Sequence, residues 1–240
     1  KMRTQHKNIG LTLLLFIGYS LSTWAQSGKY ITVRDFETWT SATLNYKYSK
    51  KLKIGISQEL RLKDNSSAVD KYFTNGFAEY KLLKPVRLGA ELRYIRLNDN
   101  EGNVQGYENH LRYAFYTSFQ HKVSRLSLKY RLQFQSQNEL GLDVSQQTFP
   151  TQKLRLKIGG DYNIRKWKLD PRVSMEIFRT LGDVNDFTKF RATIGTKHNT
   201  KKAGAIGVFY RLERDLNEQY PKTTNVLGLN YQFTVKRKKK

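Results

Sequence analysis

The sequence predicts an all-β fold: a single antiparallel up-and-down transmembrane β-barrel of about 10–12 strands, with short periplasmic turns and longer extracellular loops. Apolar and polar residues alternate along most of the chain, and the stretches that join the alternating segments differ in length and in charge. The mean hydropathy of -0.67 argues against a bundle of transmembrane helices. It agrees with a barrel, in which only every second residue faces lipid.

The N-terminus has the three-part order of a secretory signal peptide. Basic residues precede an apolar run at 9–17, and small residues lead to Ala25. The run is shorter than the ~20 apolar residues that a spanning helix needs, which argues against the alternative, a membrane anchor. We therefore expect a cleaved signal peptide at 1–25, an exported barrel at 26–235 in the cell outer membrane, and a basic tail at 236–240.

The chain is strongly basic, with 43 lysines and arginines against 20 aspartates and glutamates and a formal net charge of +23. Part of the excess lies in the N-terminal segment and in the tail, and the rest is spread over many strand positions. A nucleic-acid site would gather its basic residues into one stripe, so no nucleic-acid partner is expected. The sequence contains no cysteine, which excludes disulfides and thiolate metal sites.

Period-two alternation defines the predicted strands. In "KLKIGISQELRLK" (51–63) leucines and isoleucines share one face and charged residues the other, and "RLSLKYRLQFQ" (125–135) and "KLRLKIGGDY" (153–162) repeat the pattern. In chain order the predicted strands are 36–48, 51–63, 70–83, 86–98, 107–120, 124–136, 152–163, 167–179, 187–198, 203–214 and 223–235. They are longer than the ~5–6 residues usual in globular sheets and suit tilted spanning strands of ~9–11 residues. A further strand at 28–34 would give the even number typical of bacterial barrels.

The connections between these segments form two alternating classes. Short ones, such as "SKK" at Ser49, alternate strictly with long ones, such as "SQNELGLDVSQQTFP" at Ser136. Every short connection contains lysine or arginine, whereas the long ones carry aspartate or glutamate. This sorting predicts a meander with two unlike ends, with basic turns in the periplasm and acidic loops outside the cell.

The apolar face of the strands is predicted to meet lipid. The alternative is a soluble fold with an apolar core, but a barrel of more than about eight strands encloses a lumen too wide for side chains alone to fill. Aromatic residues assigned to the apolar face, several near strand ends, fit the girdles at membrane interfaces. They are Tyr46, Tyr48, Tyr80, Tyr94, Phe119, Phe134, Tyr162, Trp167 and Phe209.

The polar face is then predicted to line the lumen. Its residues are Lys53, Glu59, Arg61, Arg87, Glu91, Arg93, Glu108, His110, Arg112, Arg125, Lys129, Arg131, Arg155, Arg172, Arg191 and Arg211, with Glu79, Lys157, Asp161, Glu176, Lys189 and Glu213 on the same face. Glutamate and arginine two residues apart on one face, as in Glu59/Arg61 and Glu91/Arg93, could pair across neighbouring strands and knit this lumen shut, whereas surplus arginine in an open lumen would favour anions. Two roles therefore stay open, a narrow anion-favouring pore and a structural barrel.

The sequence supplies no recognisable catalytic motif. Of four histidines, neither His110 nor His198 lies in a "HxSNG"-like stretch of the kind a lipid-modifying barrel would use, and His110 is interpreted as a structural hydrogen-bonding group beside Glu108 and Arg112. We assign no catalytic residue, metal site or cofactor; divalent cations at acidic loops such as 99–101 or 183–186 remain a weaker idea. A lipid-modifying outer-membrane enzyme and a soluble lipid-carrying periplasmic β-barrel remain as alternatives.

The last strand, "LGLNYQFTV", carries a recognisable ending. Gly228, Tyr231 and Phe233 resemble the C-terminal strand signal of outer-membrane barrels, which implies recognition by the barrel-assembly machinery during insertion. A barrel inserted in this way would also contact outer-membrane lipid and lipopolysaccharide. Its oligomeric state is left undetermined.

Three stretches carry a wider resemblance: "DFETWTSATLNYKYSKK" around Trp39, "SQELRLKDN" at 57–65 and "LGAELRYIRLNDN" at 88–100. Through them the chain, over roughly 35–235, resembles a Gram-negative outer-membrane β-barrel family known only as a domain of unknown function. The resemblance implies a fold and a location, and it implies no activity.

Overall fold

A computed structural model describes residues 33–100, 105–141, 150–182, 185–200 and 203–237. The described residues form eleven strands: β1 Val33–Lys47, β2 Leu52–Lys63, β3 Ala68–Lys81, β4 Val86–Asp99, β5 Gly106–Val123, β6 Leu126–Leu140, β7 Thr151–Tyr162, β8 Asp170–Leu181, β9 Phe187–Thr200, β10 Gly204–Asp215 and β11 Lys222–Lys236. The predicted signal peptide lies outside the described residues, as does most of the suggested strand at 28–34. Within the described ranges, no helix is long and apolar enough to cross a membrane.

The strands form one closed up-and-down barrel, which confirms the predicted fold class. Each strand pairs antiparallel with its neighbours in sequence, and β1 pairs in parallel with β11 along its whole length. The sequence favoured an even number of strands, whereas the described residues form eleven. After an odd number of passes the first and last strands run in the same direction, so the barrel can close only through a parallel pair.

The register around the barrel shows how strongly the strands are staggered. From Trp39, the pairing through β2, β3 and β4 reaches Glu108 on β5. The pairing in the other direction, through β11 and down to β6, reaches Lys122 on the same strand, fourteen residues away. With usual strand spacings this stagger gives a tilt of about 40° and a backbone radius of about 11 Å.

The wall is apolar outside and polar inside. Outward side chains near the middle of the wall are exposed, for example Leu92 at 56%, Phe115 at 57% and Met175 at 63%. Many inward polar side chains are buried, among them Glu79, Gln133 and Glu213, and the Glu176 side chain has no exposed surface. A soluble protein buries its apolar residues and exposes its charged ones. This barrel does the opposite, with apolar residues on the outer surface and charged residues inside.

The connections match the predicted charges better than the predicted lengths. One end of the barrel carries the connections 48–51, 82–85, 124–125, 163–169 and 201–203, and the other carries 64–67, 100–105, 141–150, 182–186 and 216–221. The prediction of strict short–long alternation was wrong, since 64–67 is as short as 48–51 and 163–169 is longer than 182–186. We keep the names short-turn end and long-loop end for the two sets.

Three aromatic residues predicted on the apolar strand faces lie elsewhere. Tyr48 lies in the 48–51 connection, just beyond the end of β1. Trp167 belongs to the 163–169 connection, since β8 starts only at Asp170. The Asp170 carboxylate accepts a hydrogen bond from the Ile164 backbone N–H at 3.1 Å and so closes this connection. Phe209 points inward, since a Cβ on Gly228 would lie 2.0 Å from its ring. The ring therefore covers a glycine on the neighbouring strand, and an alanine at 228 would clash with it.

Candidate functional site

The interior is filled at mid-height by charged side chains around Glu176. Its carboxylate lies 2.7 Å from Lys157 Nζ and 3.3 Å from Arg191 Nη1, and it also contacts Arg155 Nη2. Lys157 and Arg191 are the residues directly opposite Glu176 on β7 and β9. Cross-strand pairing of an inward glutamate with inward basic residues on both sides therefore builds this cluster.

The ion pairs continue around the wall from β9 to β10. Arg191 Nε lies 2.6 Å from Glu213 Oε1, and Glu213 is again the residue opposite Arg191. Lys189 lies 3.1 Å from Asp215, one step nearer the long-loop end. Arg191 is thus shared by two carboxylates, which compensates for much of the cost of burying its charge.

Aromatic rings stacked with arginines complete the filling. The Arg61 guanidinium lies 3.4 Å from the centre of the Trp39 ring, whose Nε1 donates to Glu37 at 2.7 Å. Phe73 is covered by Arg93 at 4.0 Å, and Phe178 on β8 lies 4.9 Å from Arg191. Stacking on an aromatic face suits the planar, weakly hydrated guanidinium and holds it in a packed interior.

These side chains join parts of the wall that are not neighbours in the sheet. Arg191 of β9 lies 5.6 Å from the ring of Trp39 on β1, although β10 and β11 separate the two strands in the sheet. Trp39, Phe73 and Phe178 are all buried. We call the set Trp39, Arg61, Phe73, Arg155, Glu176, Phe178 and Arg191 the closing layer.

The closing layer lies between two cavities that the described residues line. The short-turn cavity has a volume of about 550 Å³ and is reached from the short-turn end, where Lys53, Arg87 and Lys129 line it. The long-loop cavity is about 90 Å³ and includes Lys71, His110 and Arg112. The closing layer thus stands between a large space toward the short-turn end and a small one toward the long-loop end.

The lumen residues predicted from the sequence are distributed over these regions. Arg61, Arg155 and Arg191 belong to the closing layer; Lys53, Arg87, Lys129, Arg131, Arg172 and Arg211 line the short-turn cavity; Arg93, His110 and Arg112 line the long-loop cavity. Arg125 lies in the 124–125 turn, exposed and off the strands. Glu59 forms its ion pair with Arg61 of the same strand, at 2.7 Å. Arg93 of β4 instead donates a hydrogen bond across to Asn75 of β3, at 3.2 Å.

Sequence reasoning missed the inward aromatic residues. Trp39, Phe73 and Phe178 are the rings of the closing layer, and Tyr116 covers Gly89 just as Phe209 covers Gly228. The signal was present in the alternation, because Trp39 shares its parity with Glu37 and Phe178 shares its parity with Glu176. An aromatic residue on the polar face of a strand predicts an interior ring.

His110 lies at the long-loop end with two carboxylates. Its Nε2 is 2.9 Å from Glu108 Oε2, and ligand atoms of Glu108, His110 and Glu139 all lie within 4.8 Å of one another. Lys71 and Arg112 line the same cavity and oppose a cation there. Among the described contacts of His110, no hydroxyl nucleophile appears; the acidic loop residues Glu101 and Asp183 fall outside the described ranges.

The residues of the C-terminal signal lie on β11. Tyr231 and Phe233 face outward and are partly exposed, in line with Leu227 and Leu229, while Gly228 faces inward beneath Phe209. Gly228 is explained by the Phe209 ring that packs on it, because a larger residue would clash there. The rings of Tyr231 and Phe233 form part of the apolar outer wall.

Comparison with known proteins identifies a family without an assigned activity. A family described as protein of unknown function (DUF2490) matches residues 36–223, which contain β2 to β10 and most of β1. Neither a curated protein nor a solved structure matches the chain. The match spans most of the barrel, and the chain therefore belongs to the DUF2490 family.

Proposed function

We propose that this protein is an integral β-barrel of the bacterial outer membrane whose lumen is closed at rest, a structural barrel rather than an open pore. The reversed polarity of the wall is the observation that carries the proposal. Exposed leucine, isoleucine, phenylalanine and methionine encircle a buried ionic interior. Such a wall is costly in water and stable in hydrocarbon, because its backbone is fully paired and its apolar side chains meet lipid.

Aromatic residues near both ends of the wall support a membrane position. Exposed tyrosines and phenylalanines such as Tyr80, Phe119 and Tyr162 lie toward the short-turn end, and Tyr94 and Tyr107 lie toward the long-loop end. Tyrosine rings suit the headgroup region, where the ring is buried and the hydroxyl is hydrated. The stretch between the two sets is largely apolar, with Leu92, Phe115 and Met175 exposed there, and it fits the hydrocarbon core.

The closing layer supports a closed lumen. Ion passage needs a continuous hydrated path, and the described mid-height region instead holds buried rings and paired charges. A lumen of this radius would be open if its inward residues were small. The inward arginines therefore act here as filling as well as charge.

Orientation and export follow the usual arrangement of such barrels. We place the basic short-turn end in the periplasm and the acidic long-loop end outside the cell. The segment 1–25 would direct export and be removed, and the β11 ending would be read by the barrel-assembly machinery. Lipid and lipopolysaccharide would then surround the apolar wall.

The test is fractionation followed by conductance. We expect the native protein to remain in the outer-membrane fraction after carbonate or urea extraction and to show heat-modifiable gel mobility. In planar bilayers the folded protein should give no steady openings. Release by carbonate would contradict the membrane assignment, whereas steady anion-biased openings would favour the pore.

The two alternatives from the sequence gain less support. A soluble lipid carrier needs an apolar interior, and the interior here is charged. A lipid-modifying enzyme needs a nucleophile near its base, and the described partners of His110 are carboxylates. Lipid hydrolysis that is lost in His110→Ala would revive the enzyme.

A further inference from the structure

The short-turn cavity is lined by many more basic residues than acidic ones. Eight of its described lining residues are lysine or arginine, and two are carboxylates, Glu79 and Asp161. Several basic side chains at its rim keep contact with solvent, including Lys129, Arg172 and Arg87. A solute arriving from the short-turn end can therefore reach the cavity, whose lining includes Lys157, the partner of Glu176 in the closing layer.

The two carboxylates form ion pairs with only four of these eight basic residues. Glu79 lies 3.2 Å from Lys53 Nζ and 2.9 Å from Arg87 Nη1. Asp161 contacts Lys129 and lies 3.4 Å from Arg172 Nε. Each carboxylate thus serves two basic residues, which leaves a positive charge on each group of three.

Three further basic residues form no ion pair with a described carboxylate, and the charges of Glu176 and Glu213 act on Arg211 only from a greater distance. Arg131 lies over the Tyr116 ring at 4.1 Å, Arg211 donates to Thr193 Oγ1 at 3.0 Å, and Lys197 donates to Gln232. The neutral partners orient these side chains without cancelling their charge. Desolvated cations that protein carboxylates do not neutralise are compensated by a bound anion or by solvent.

We propose that the short-turn cavity binds a multiply charged oxyanion, a small soluble molecule that carries phosphoryl groups. Guanidinium groups such as those of Arg131 and Arg211 present paired donors that match phosphate oxygens. The volume of about 550 Å³ lies within the range of small-molecule sites. The basic turns at the same end, with Lys84 and Arg125, would raise the local anion concentration at the entrance.

Pyrophosphate is the probe for the first test. Folded native protein in a zwitterionic detergent, with heat-modifiable mobility as the folding control, is titrated by calorimetry at low and at physiological salt. We expect saturable binding that weakens as salt rises. Citrate, a polycarboxylate of similar charge, should bind more weakly, and equal or tighter citrate binding would overturn the phosphoryl assignment.

The matched variants remove equal charge inside and outside the cavity. Arg131→Gln/Lys197→Gln should weaken pyrophosphate binding at least tenfold, whereas Lys84→Gln/Arg125→Gln, which changes two turn residues, should change it less than threefold. If the double cavity variant does not fold, the two single variants replace it. Absence of binding to the native protein, or equal losses in both pairs, would overturn the proposal. This test does not depend on membrane location, so a barrel that inserts and binds nothing refutes this inference alone.

Discussion

The two halves of the lumen share one backbone tube and differ in what fills it. On the short-turn side the lining includes Gly159, Gly195, Ser118 and Ser174, and a cavity of about 550 Å³ remains. On the long-loop side the lining includes Phe73, Ile95 and Leu97 with several arginines, and about 90 Å³ remains. Strand number and stagger set the width of a barrel, but the size of the inward side chains decides whether that width is open.

Charge follows the same division. The short-turn cavity is surrounded by lysine and arginine, and the connections at that end are basic as well. At the long-loop end, inward Asp35 and Glu37 lie near Lys222, with Asp35 Oδ2 3.0 Å from Lys222 Nζ. The closing layer lies between a space lined mainly by basic residues and a space lined by both basic and acidic residues. It therefore decides whether an ion could pass from one space to the other.

The largest expected effect is the loss of this separation. In Trp39→Ala/Phe73→Ala two of the three buried rings of the closing layer are removed, and we expect steady, anion-biased conductance where the native protein shows none. Phe115→Ala, which shortens an outward ring, is the control and should stay silent. A double variant that folds and remains silent would mean that the remaining side chains seal the lumen.

Among the single substitutions, Glu176→Ala should cause the largest loss of stability. It leaves Arg155, Lys157 and Arg191 without their shared carboxylate, and breaking a buried ion pair costs about 3–5 kcal/mol. Urea unfolding of the barrel in detergent or vesicles measures the free energy of unfolding. Glu218→Ala, in an exposed connection, should change it by about 0.5 kcal/mol or less. Similar losses in both variants would show that the closing layer is not held by Glu176.

A charged residue introduced on the outer wall should destabilise the barrel equally in the short-turn half and in the long-loop half. Leu92→Arg places a cation at mid-wall and should cost about 2–4 kcal/mol in a bilayer, whereas Leu83→Arg, in the 82–85 turn, should cost about 0–1 kcal/mol. Unfolding in lipid vesicles, compared with unfolding in detergent, reports the difference. A mid-wall arginine that costs no more than the turn arginine would place the wall outside hydrocarbon.

The smallest expected effect on stability comes from filling the short-turn half. Ser174 faces Gly159 across β7 and β8, so the ring in Ser174→Phe can cover the glycine as Phe77 covers Gly55. We expect a change of about 0.5 kcal/mol or less in unfolding free energy. Pyrophosphate binding should weaken at least fivefold, and unchanged binding would mean that the anion does not occupy this part of the cavity. Ser41→Phe, on the inward face of β1 and outside the cavity lining, is the comparison for binding.

Much of the fold could be predicted from local pattern. Leu227, Leu229, Tyr231 and Phe233 alternate with inward residues, and the structure leaves all four partly exposed on the wall. Period two is a property of any extended chain, so it predicts faces without knowledge of neighbours. Strand ends were less predictable, as at Trp167, because the carboxylate of Asp170, the first residue of β8, accepts hydrogen bonds from Asn163 and Ile164 that hold 163–169 as a connection.

The sequence by itself determined the strands, their two faces, the basic and acidic ends and the surplus of inward arginine, since each depends on residues close together in the chain. Only the tertiary structure decided that β1 closes on β11 in parallel, that Glu176 meets three basic residues, and that Trp39 meets Arg191 across the lumen. These contacts depend on the register and the stagger of eleven strands. A one-residue change of register would turn every inward side chain of a strand outward, so the closing layer exists only in the assembled barrel.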